Sequence, residues 1–338
     1  MSRRVSIIAF VLIAALLFWF ASALLAPCGN DGVLPLQDLY HYPKDLIDVF
    51  LVGSSHSGIN LNAALMYKDY GIAAYSLWGS TQPFWNSYYY INEGLKTQSP
   101  RIIVLDTMAA TFNLEYEQYR ISLKNIFGMR FSQDKLEAIA VSAPPEQRFD
   151  LISGGIWSYH FNYELLNEDS FHQVNPFYKR DHMLHKHTYT KDNCVLQENG
   201  WDSSYITDTA PIFEKQQEYL IKIIERCREE NIDIVLITTP YVLPDELSAK
   251  KYNSVAELAK EYSVPYINYN LLYDEIGFDF ATDMVDHNHL NRSGQRKVTT
   301  HLSSFLKQNY SIPDRRGNED YVSWEDFAVY NKEYEDAA

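Results

Sequence analysis

The chain opens with one long apolar stretch and continues with short apolar runs separated by amphipathic segments. Residues 5–26 contain only two polar side chains, Ser6 and Ser22. A helix rises about 1.5 Å per residue, so this stretch would extend roughly 33 Å, enough to cross a hydrocarbon core of about 30 Å. We therefore expect a membrane-spanning helix at the beginning of the chain.

The flanking residues predict how this helix would be oriented. Arg3 and Arg4 precede it, and a stretch rich in aspartate follows it. Because cytoplasmic flanks are enriched in Lys and Arg, we expect a single-pass protein with its N-terminus in the cytoplasm and the remaining chain outside the cell membrane. A cleaved signal peptide is the alternative, since residues 21–23 (Ala-Ser-Ala) have the small-x-small pattern of a cleavage site.

The rest of the chain alternates between strand and helix patterns. Short apolar runs predict strands at 46–52, 72–77, 102–105, 233–239 and 264–268. Helical spacing predicts helices at 61–70, 83–95, 211–230, 249–262 and 294–307. Such alternation is typical of a parallel sheet covered on both faces. We predict an α/β fold with three α/β/α layers and a central, mostly parallel sheet, preceded by a loop over 27–43.

The same pattern indicates the domain limits. Residues 111–205 lack the alternation and are crowded with Tyr, Phe, His and Asn, so we interpret them as an irregular insertion that forms a lid or a substrate wall. A separately folding domain is the alternative. The expected organisation is a cytoplasmic stub and transmembrane anchor at 1–27, an α/β domain at 28–312 and an acidic aromatic tail at 313–338. Aromatic residues at three- and four-residue spacing predict a short amphipathic helix in the tail, at Trp324, Phe327, Tyr330 and Tyr334.

Charge and composition exclude several classes of protein. The chain has 29 Lys and Arg against 44 Asp and Glu, a net charge of −15, which argues against binding nucleic acid through phosphate contacts. The mean hydropathy of −0.30 excludes a multi-span membrane protein. Three cysteines are too few for a disulfide scaffold. A bridge between Cys28 and Cys194 stays open, whereas Cys227 lies in a helical stretch and is predicted to be a buried thiol.

Two motifs carry candidate chemistry, because each lies in a loop at the end of a predicted strand. Residues 53–58 (Gly-Ser-Ser-His-Ser-Gly) form a sharp turn into a helix, where the serines either cap the helix or supply a nucleophile. Asp286 precedes His289 by three residues, so its carboxylate can fix the imidazole tautomer and leave Nε2 to accept a proton. Metal binding by His287, His289 and an aspartate is the alternative.

Together, the Gly-x-Ser turn and the Asp-x-x-His motif before the last helix resemble the SGNH/GDSL hydrolase superfamily. The resemblance implies that Ser55 is the nucleophile, His289 the general base and Asp286 the residue that orients it. It also implies an oxyanion hole formed by the backbone N–H groups of Ser55 and Gly79, the glycine that follows the second predicted strand.

The sequence departs from the superfamily pattern at two positions. Ser54 stands where the family has an aspartate, and Asp106 stands where an asparagine normally follows the third strand. A fixed anion beside a developing oxyanion is unfavourable, so we expect Asp106 to point away, to be protonated or to serve another purpose. Asn113, in the following loop, is the candidate replacement for the missing oxyanion donor.

The Gly-Ser-Ser block and the N-terminal anchor resemble one branch of the superfamily, which includes the D-alanyl transfer protein DltD and the alginate O-acetylation proteins AlgJ and AlgX. Members of this branch act outside the membrane and commonly work with a multi-span membrane O-acyltransferase, which makes such a protein a candidate partner. The resemblance implies acyl transfer through an acyl-serine, from an acylated donor to a cell-surface glycan or wall polymer. Water as the acceptor would make the protein an esterase. The alternative is a catalytically inactive carbohydrate-binding or accessory subunit of a membrane O-acyltransferase.

Further residues are candidate substrate contacts because they adjoin these motifs or lie in the aromatic insertion: His56, Trp78, Asp106, Trp157 and Tyr159. We expect no cofactor and no metal. The histidine-rich residues 181–187 are interpreted as a solvated loop, because Lys186 interrupts them and no second cluster accompanies them.

Overall fold

The computed structural model describes residues 3–26, 31–154, 186, 188–191 and 202–326. The strands are β1 (Val49–Gly53), β2 (Ala74–Trp78), β3 (Ile102–Asp106), β4 (Asp233–Thr238) and β5 (Tyr266–Asn268). The helices of the first half are α1 (Arg3–Leu25), α2 (Val33–Leu39), α3 (Ser55–Ile59), α4 (Ala63–Tyr70), α5 (Phe84–Leu95), α6 (Tyr119–Phe127), α7 (Gln133–Ser142) and α8 (Pro145–Ile152). The later helices are α9 (Glu214–Glu229), α10 (Glu246–Glu261), α11 (Tyr273–Ile276) and α12 (Arg292–Asn309).

The five strands form one parallel sheet in the order β2-β1-β3-β4-β5. At its centre Val52 pairs with Leu77 on one side and with Leu105 on the other. These strands are mostly apolar because both faces of the sheet are covered, so that alternate residues enter different cores. The predictions of an α/β fold and of a mostly parallel sheet are confirmed.

Helices cover the sheet on both faces. Phe50 and Val52 of β1 join a core with apolar residues of α5 and α9. Val49 and Leu51, which point the opposite way, join a second core with residues of α4 and α12. The second face also receives the segment that carries Asp286 and His289, whose neighbours Met284 and Leu290 are fully buried. One element therefore brings the acid and base motif onto the sheet beside β1.

The N-terminal helix α1 differs from every other described helix in its exposure. Its apolar side chains from Val5 to Phe20 face outward along most of its length. Residues Arg4–Leu25 are long and apolar enough to cross a membrane by length and composition. The prediction of such a helix is confirmed at that level.

The predicted loop over 27–43 is wrong for residues 33–39, which form α2. Its Gly and Pro content suggested irregular structure, but Val33, Leu36 and Leu39 share one face and are all fully buried. Pro35 lies in the first turn, where the helix needs no N–H from it. The predicted irregular structure of the insertion is also wrong over residues 119–152, which form α6, α7 and α8. Elsewhere the predicted strands and helices are present, with ends shifted by up to three residues.

Three further sequence predictions concern the cysteines and the aromatic residues of the tail. Cys227 is buried with a free thiol, as predicted, and burial raises the pKa of that thiol to about 12. Trp324 is fully buried, with its ring 5.2 Å from that of Tyr42 and its Nε1 donating to the carbonyl of Ala74 at 3.2 Å. The remaining residues of those predictions lie outside the described part of the chain: Cys28, Cys194, Phe327, Tyr330 and Tyr334.

Candidate active site

The candidate nucleophile lies where the order of the strands reverses. β1 is flanked by β2 and β3, so the connections that leave β1 and β3 diverge and open a crevice at the carboxyl ends of these strands. Gly53 ends β1 with a φ of +146°, and a Cβ at this position would lie 2.6 Å from Cβ of Asp106. Glycine therefore permits the sharp turn that places Ser55 at the first position of α3.

Three side chains in this crevice form a continuous hydrogen-bonded chain. Oγ of Ser55 lies 2.9 Å from Nε2 of His289. Nδ1 of the same ring lies 2.9 Å from each carboxylate oxygen of Asp286. Since the carboxylate can only accept at neutral pH, Nδ1 carries the proton and Nε2 is left to accept one from Ser55. The structure thus brings together the three residues that the sequence singled out, across 234 positions of the chain.

The carboxylate of Asp286 is held in its ionised form. Burial raises the pKa of Asp286, but hydrogen bonds from His289 and from the Asn288 N–H outweigh that effect, and its net pKa lies below the usual range. Lys191 contributes a positive charge, with Nζ 3.8 Å from the carboxylate. An anion fixed in this way stabilises the imidazolium that forms when His289 takes a proton.

A buried asparagine that the sequence analysis missed ties the two motifs together. Asn60, at the end of α3, accepts a hydrogen bond on Oδ1 from the Leu290 N–H at 3.0 Å. Its Nδ2 donates to Oγ1 of Thr239 at 2.8 Å. Nothing in the sequence around Asn60 distinguishes it from an ordinary helix-ending residue, because its partners come from loops far along the chain.

Asp106 points away from the nucleophile's oxygen and supports the turn instead. Its Oδ2 accepts from Oγ of Ser54 at 2.6 Å, and its Oδ1 accepts from the Met108 N–H at 3.2 Å. Burial raises the pKa of Asp106 to about 6, although hydrogen bonds from Ser54 and Met108 oppose the shift. Asp106 is not among the residues that line the cavity at Ser55. Of the roles considered for it, the structure shows a carboxyl group that holds Ser54.

The burial of the Asp106 carboxyl group predicts how the free energy of unfolding depends on pH. The Asp106 carboxyl has a pKa near 3.8 when unperturbed and about 6 in the fold, so between these values the folded chain holds a proton that the unfolded chain has released. The contribution of Asp106 to the free energy of unfolding should therefore fall as the pH rises through this window, by about 2 to 3 kcal/mol, and level off above it. Urea unfolding of the chain and of its Asp106→Asn variant from pH 4 to pH 7 measures the difference. Parallel curves for the two proteins would contradict the assignment.

The predicted oxyanion donors differ in their availability. Ser55 is the first residue of α3, where an N–H has no acceptor within the helix, so its N–H is available. The N–H of Gly79 donates to the Gly53 carbonyl at 3.3 Å, which extends the pairing of β1 with β2 by one more bond. Asn113 is exposed, and its Oδ1 accepts from Nζ of Lys251 at 2.6 Å. Of the three predicted donors, only Ser55 both lines the cavity and has an N–H without an acceptor, since Asn113 lies outside that cavity.

Gly79 is enclosed by a side chain from the predicted insertion. A Cβ at Gly79 would lie 2.1 Å from Oδ1 of Asn125, which belongs to α6. Nδ2 of Asn125 donates to the buried carboxyl group of Glu117 at 2.7 Å. Burial raises the pKa of Glu117 to about 7 against several hydrogen bonds. The first part of the insertion therefore packs directly behind the loop that follows β2.

A cavity of about 640 Å³ opens onto Ser55. Two of the predicted substrate contacts, His56 and Trp78, line it, whereas Trp157 and Tyr159 lie outside the described residues. Its other lining residues are Asp31, Ser54, Ile59, Ser80, Thr81, Met108, Phe112, Tyr189, Thr190, Lys191, Asn288 and His289. The cavity mixes apolar walls with a few convergent polar groups, as small-molecule sites do.

The alternative of a metal site finds no support in the residues around His289. Both ring nitrogens of His289 are engaged by Asp286 and Ser55, and His287 is exposed. In the part of the chain that the structure describes, no group of three or more His, Cys, Asp or Glu side chains is arranged to hold a metal ion.

No model of a known protein family matches this sequence, and no curated protein matches it either.

Proposed function

We propose that this protein is an SGNH-type serine acyl-transfer enzyme, an O-acyltransferase or esterase that acts on a cell-surface polysaccharide or wall polymer outside the membrane. The observation that carries the proposal is the chain of hydrogen bonds from Ser55 through His289 to Asp286, with 2.9 Å at each link. A hydroxyl aligned with a base, and a base oriented by a carboxylate, is the arrangement that activates a nucleophile.

The chemistry follows from the proton positions. As Oγ of Ser55 attacks the carbonyl carbon of an ester or thioester, its proton moves to Nε2 of His289. The bond to the leaving group then breaks, and the leaving group takes the proton from Nε2. In the second half of the reaction, the acceptor hydroxyl gives its proton to Nε2 and attacks the acyl-serine, and Ser55 is released with a proton on Oγ. Water as the acceptor gives hydrolysis, and a glycan hydroxyl gives transfer.

The N-terminal helix supports a location at the membrane. Helix α1 is exposed and long enough to cross a bilayer, and it begins with Arg3 and Arg4, which favours a cytoplasmic N-terminus. Asp31, six positions after the end of α1, already lines the cavity at Ser55. In this proposal the acyl donor is presented at the membrane by a multi-span O-acyltransferase. The resemblance to the DltD, AlgJ and AlgX branch supports this partner.

A covalent probe tests the proposal. We expect a fluorophosphonate to add one phosphonyl group to Ser55, because the serine oxygen is activated by His289. Intact-mass measurement followed by peptide mapping locates the adduct, and Ser55→Ala should carry none. His287→Gln, an exposed histidine in the same loop, is the matched control and should label as the unsubstituted chain does. Labelling that persists in Ser55→Ala would exclude Ser55 as the nucleophile. A chain that binds glycan but takes no label would exclude the enzyme in favour of a binding or accessory subunit.

A further inference from the structure

The residue after the candidate nucleophile is an entirely buried histidine. His56 is 1% exposed, lines the cavity at Ser55 and belongs to the same short helix. Its ring lies 5.1 Å from that of Tyr241 and 6.0 Å from that of His289, measured between centroids, and meets both edge to face. The hydrogen-bonded chain from Ser55 to Asp286 makes no use of it.

The neighbouring hydrogen bonds allow Nδ1 of His56 to accept a hydrogen bond from Thr239. Oδ1 of Asn60 accepts from the Leu290 N–H, which fixes the orientation of the amide, so Nδ2 must donate to Oγ1 of Thr239. The hydroxyl proton of Thr239 is then free to point at Nδ1 of His56, 3.2 Å away. With this hydroxyl donating to Nδ1, the proton of the neutral ring lies on Nε2.

The resulting N–H group has no protein partner. Nε2 of His56 is buried, and no hydrogen-bonding atom among the described residues reaches it. Burial and the nearby His289 lower the pKa of His56 to about 3 against the charge of Asp286, so the ring stays neutral across the physiological range. A buried donor without an acceptor is costly and uncommon in folded proteins, and one beside a nucleophile is suited to bind an acceptor atom of a ligand.

Few of the predicted oxyanion donors beside Ser55 are available for a substrate oxygen. The Ser55 N–H is available, but the Gly79 N–H is engaged by the Gly53 carbonyl and Asp106 supplies no donor where the superfamily has an asparagine. Acyl transfer through a tetrahedral intermediate needs more than one donor near the carbonyl oxygen. We propose that the Nε2–H group of His56 binds the carbonyl oxygen of the acyl substrate, together with the Ser55 N–H. This role rests on the proposed function of Ser55.

A neutral imidazole suits this task. It strengthens its hydrogen bond as negative charge develops on the oxygen, and it returns to the same state when the carbonyl reforms. His56 gives up no proton in either half of the reaction. Proton transfer remains with His289, which takes the proton from Oγ of Ser55. The two histidines thus have separate roles, one as a base and the other as a hydrogen-bond donor.

Two substitutions of His56 separate a donor from a packing residue. His56→Phe keeps the ring and removes the donor, whereas His56→Gln places an amide N–H near the position of Nε2. With 4-nitrophenyl acetate as the probe, we expect His56→Phe to lower the rate constant for acylation by about 100-fold. We expect His56→Gln to stay within about 10-fold of the unsubstituted chain, and both losses to fall on kcat rather than on KM. Equal rates for His56→Phe and the unsubstituted chain, or an equal deficit in both variants, would overturn the proposal.

A spectroscopic measurement on the unsubstituted full-length chain covers the case in which these variants do not fold. With ¹⁵N-labelled histidine, we expect the signals of a neutral ring protonated at Nε2, and a shift of the Nε2–H resonance when Ser55 is phosphonylated. A proton on Nδ1, or a resonance that does not move on phosphonylation, would overturn the role of His56. If Ser55 takes no phosphonyl group at all, the proposed function fails instead, so the two failures are distinguishable.

Discussion

His289→Ala slows the acylation of Ser55 by about 10⁴-fold or more, the largest effect that we expect from any single substitution that keeps Ser55. The ring is the only acceptor for the Ser55 proton in the hydrogen-bonded chain, with its Nε2 2.9 Å from Oγ. Without it, the hydroxyl must lose its proton to solvent. Stopped-flow release of 4-nitrophenol measures the acylation rate constant directly.

The companion substitutions test whether the three residues act as a unit. Asp286→Asn keeps the size of the side chain but removes the charge that selects the Nδ1–H tautomer, and should cost about 10³- to 10⁴-fold. Ser55→Ala with His289→Ala should be no slower than Ser55→Ala alone, because residues that act together are not additive. If the losses multiplied, His289 would act independently of Ser55, and the assignment of the base would be wrong.

Gly58→Ala both destabilises the fold and disables the site. A Cβ at Gly58 would lie 2.2 Å from Cε2 of Trp78, whose indole is 4% exposed and whose backbone is paired within the sheet. Helix propensity alone predicts that alanine stabilises α3, by about 1 kcal/mol. The collision outweighs this gain, and we expect a net loss of about 1 to 3 kcal/mol in the free energy of unfolding. Because Ser55 lies on the same short helix, the rate of phosphonylation should fall with it.

Two controls distinguish the collision from a general sensitivity of α3. Ser57→Ala changes the adjacent buried position without adding atoms, and should leave stability unchanged or slightly improved, since Oγ of Ser57 is buried without a partner among the described residues. Gly58→Ala combined with Trp78→Phe should recover part of the lost stability, because the smaller ring leaves room for the methyl group. Thermal unfolding of the four proteins measures both effects. A double variant less stable than Gly58→Ala would contradict the proposed contact.

The sheet and the three residues of the hydrogen-bonded chain could be predicted because each depends on local sequence. Buried parallel strands are mostly apolar, and an aspartate three residues before a histidine can reach its ring from the same loop. Helix α2 could not be predicted in the same way. The Gly and Pro content of residues 27–43 indicated a loop, and only packing against the sheet shows that the apolar face of α2 is buried.

The sequence could not predict which oxyanion donors are free, for a related reason. Gly79 stands in the position that the superfamily pattern requires, but whether its N–H is free depends on how β1 and β2 continue past their last paired residues. The sequence has Asp106 where the superfamily has a neutral asparagine. In the structure the Asp106 carboxyl group accepts a hydrogen bond from the hydroxyl of Ser54, just after the end of the neighbouring strand. These two contacts join residues 26 and 52 positions apart. No local pattern encodes them.

The distance between α1 and the cavity limits where this site can work. Six positions separate Leu25, the last residue of α1, from Asp31 at the cavity wall, so the two lie within roughly 20 Å of each other. With α1 in a bilayer, the cavity would sample a thin layer above the membrane. A reactive group carried by another membrane component would then be present at an effective concentration of the order of millimolar, whatever its bulk concentration. Turnover would depend on how densely that component is packed in the bilayer, and a soluble substrate would lack this advantage.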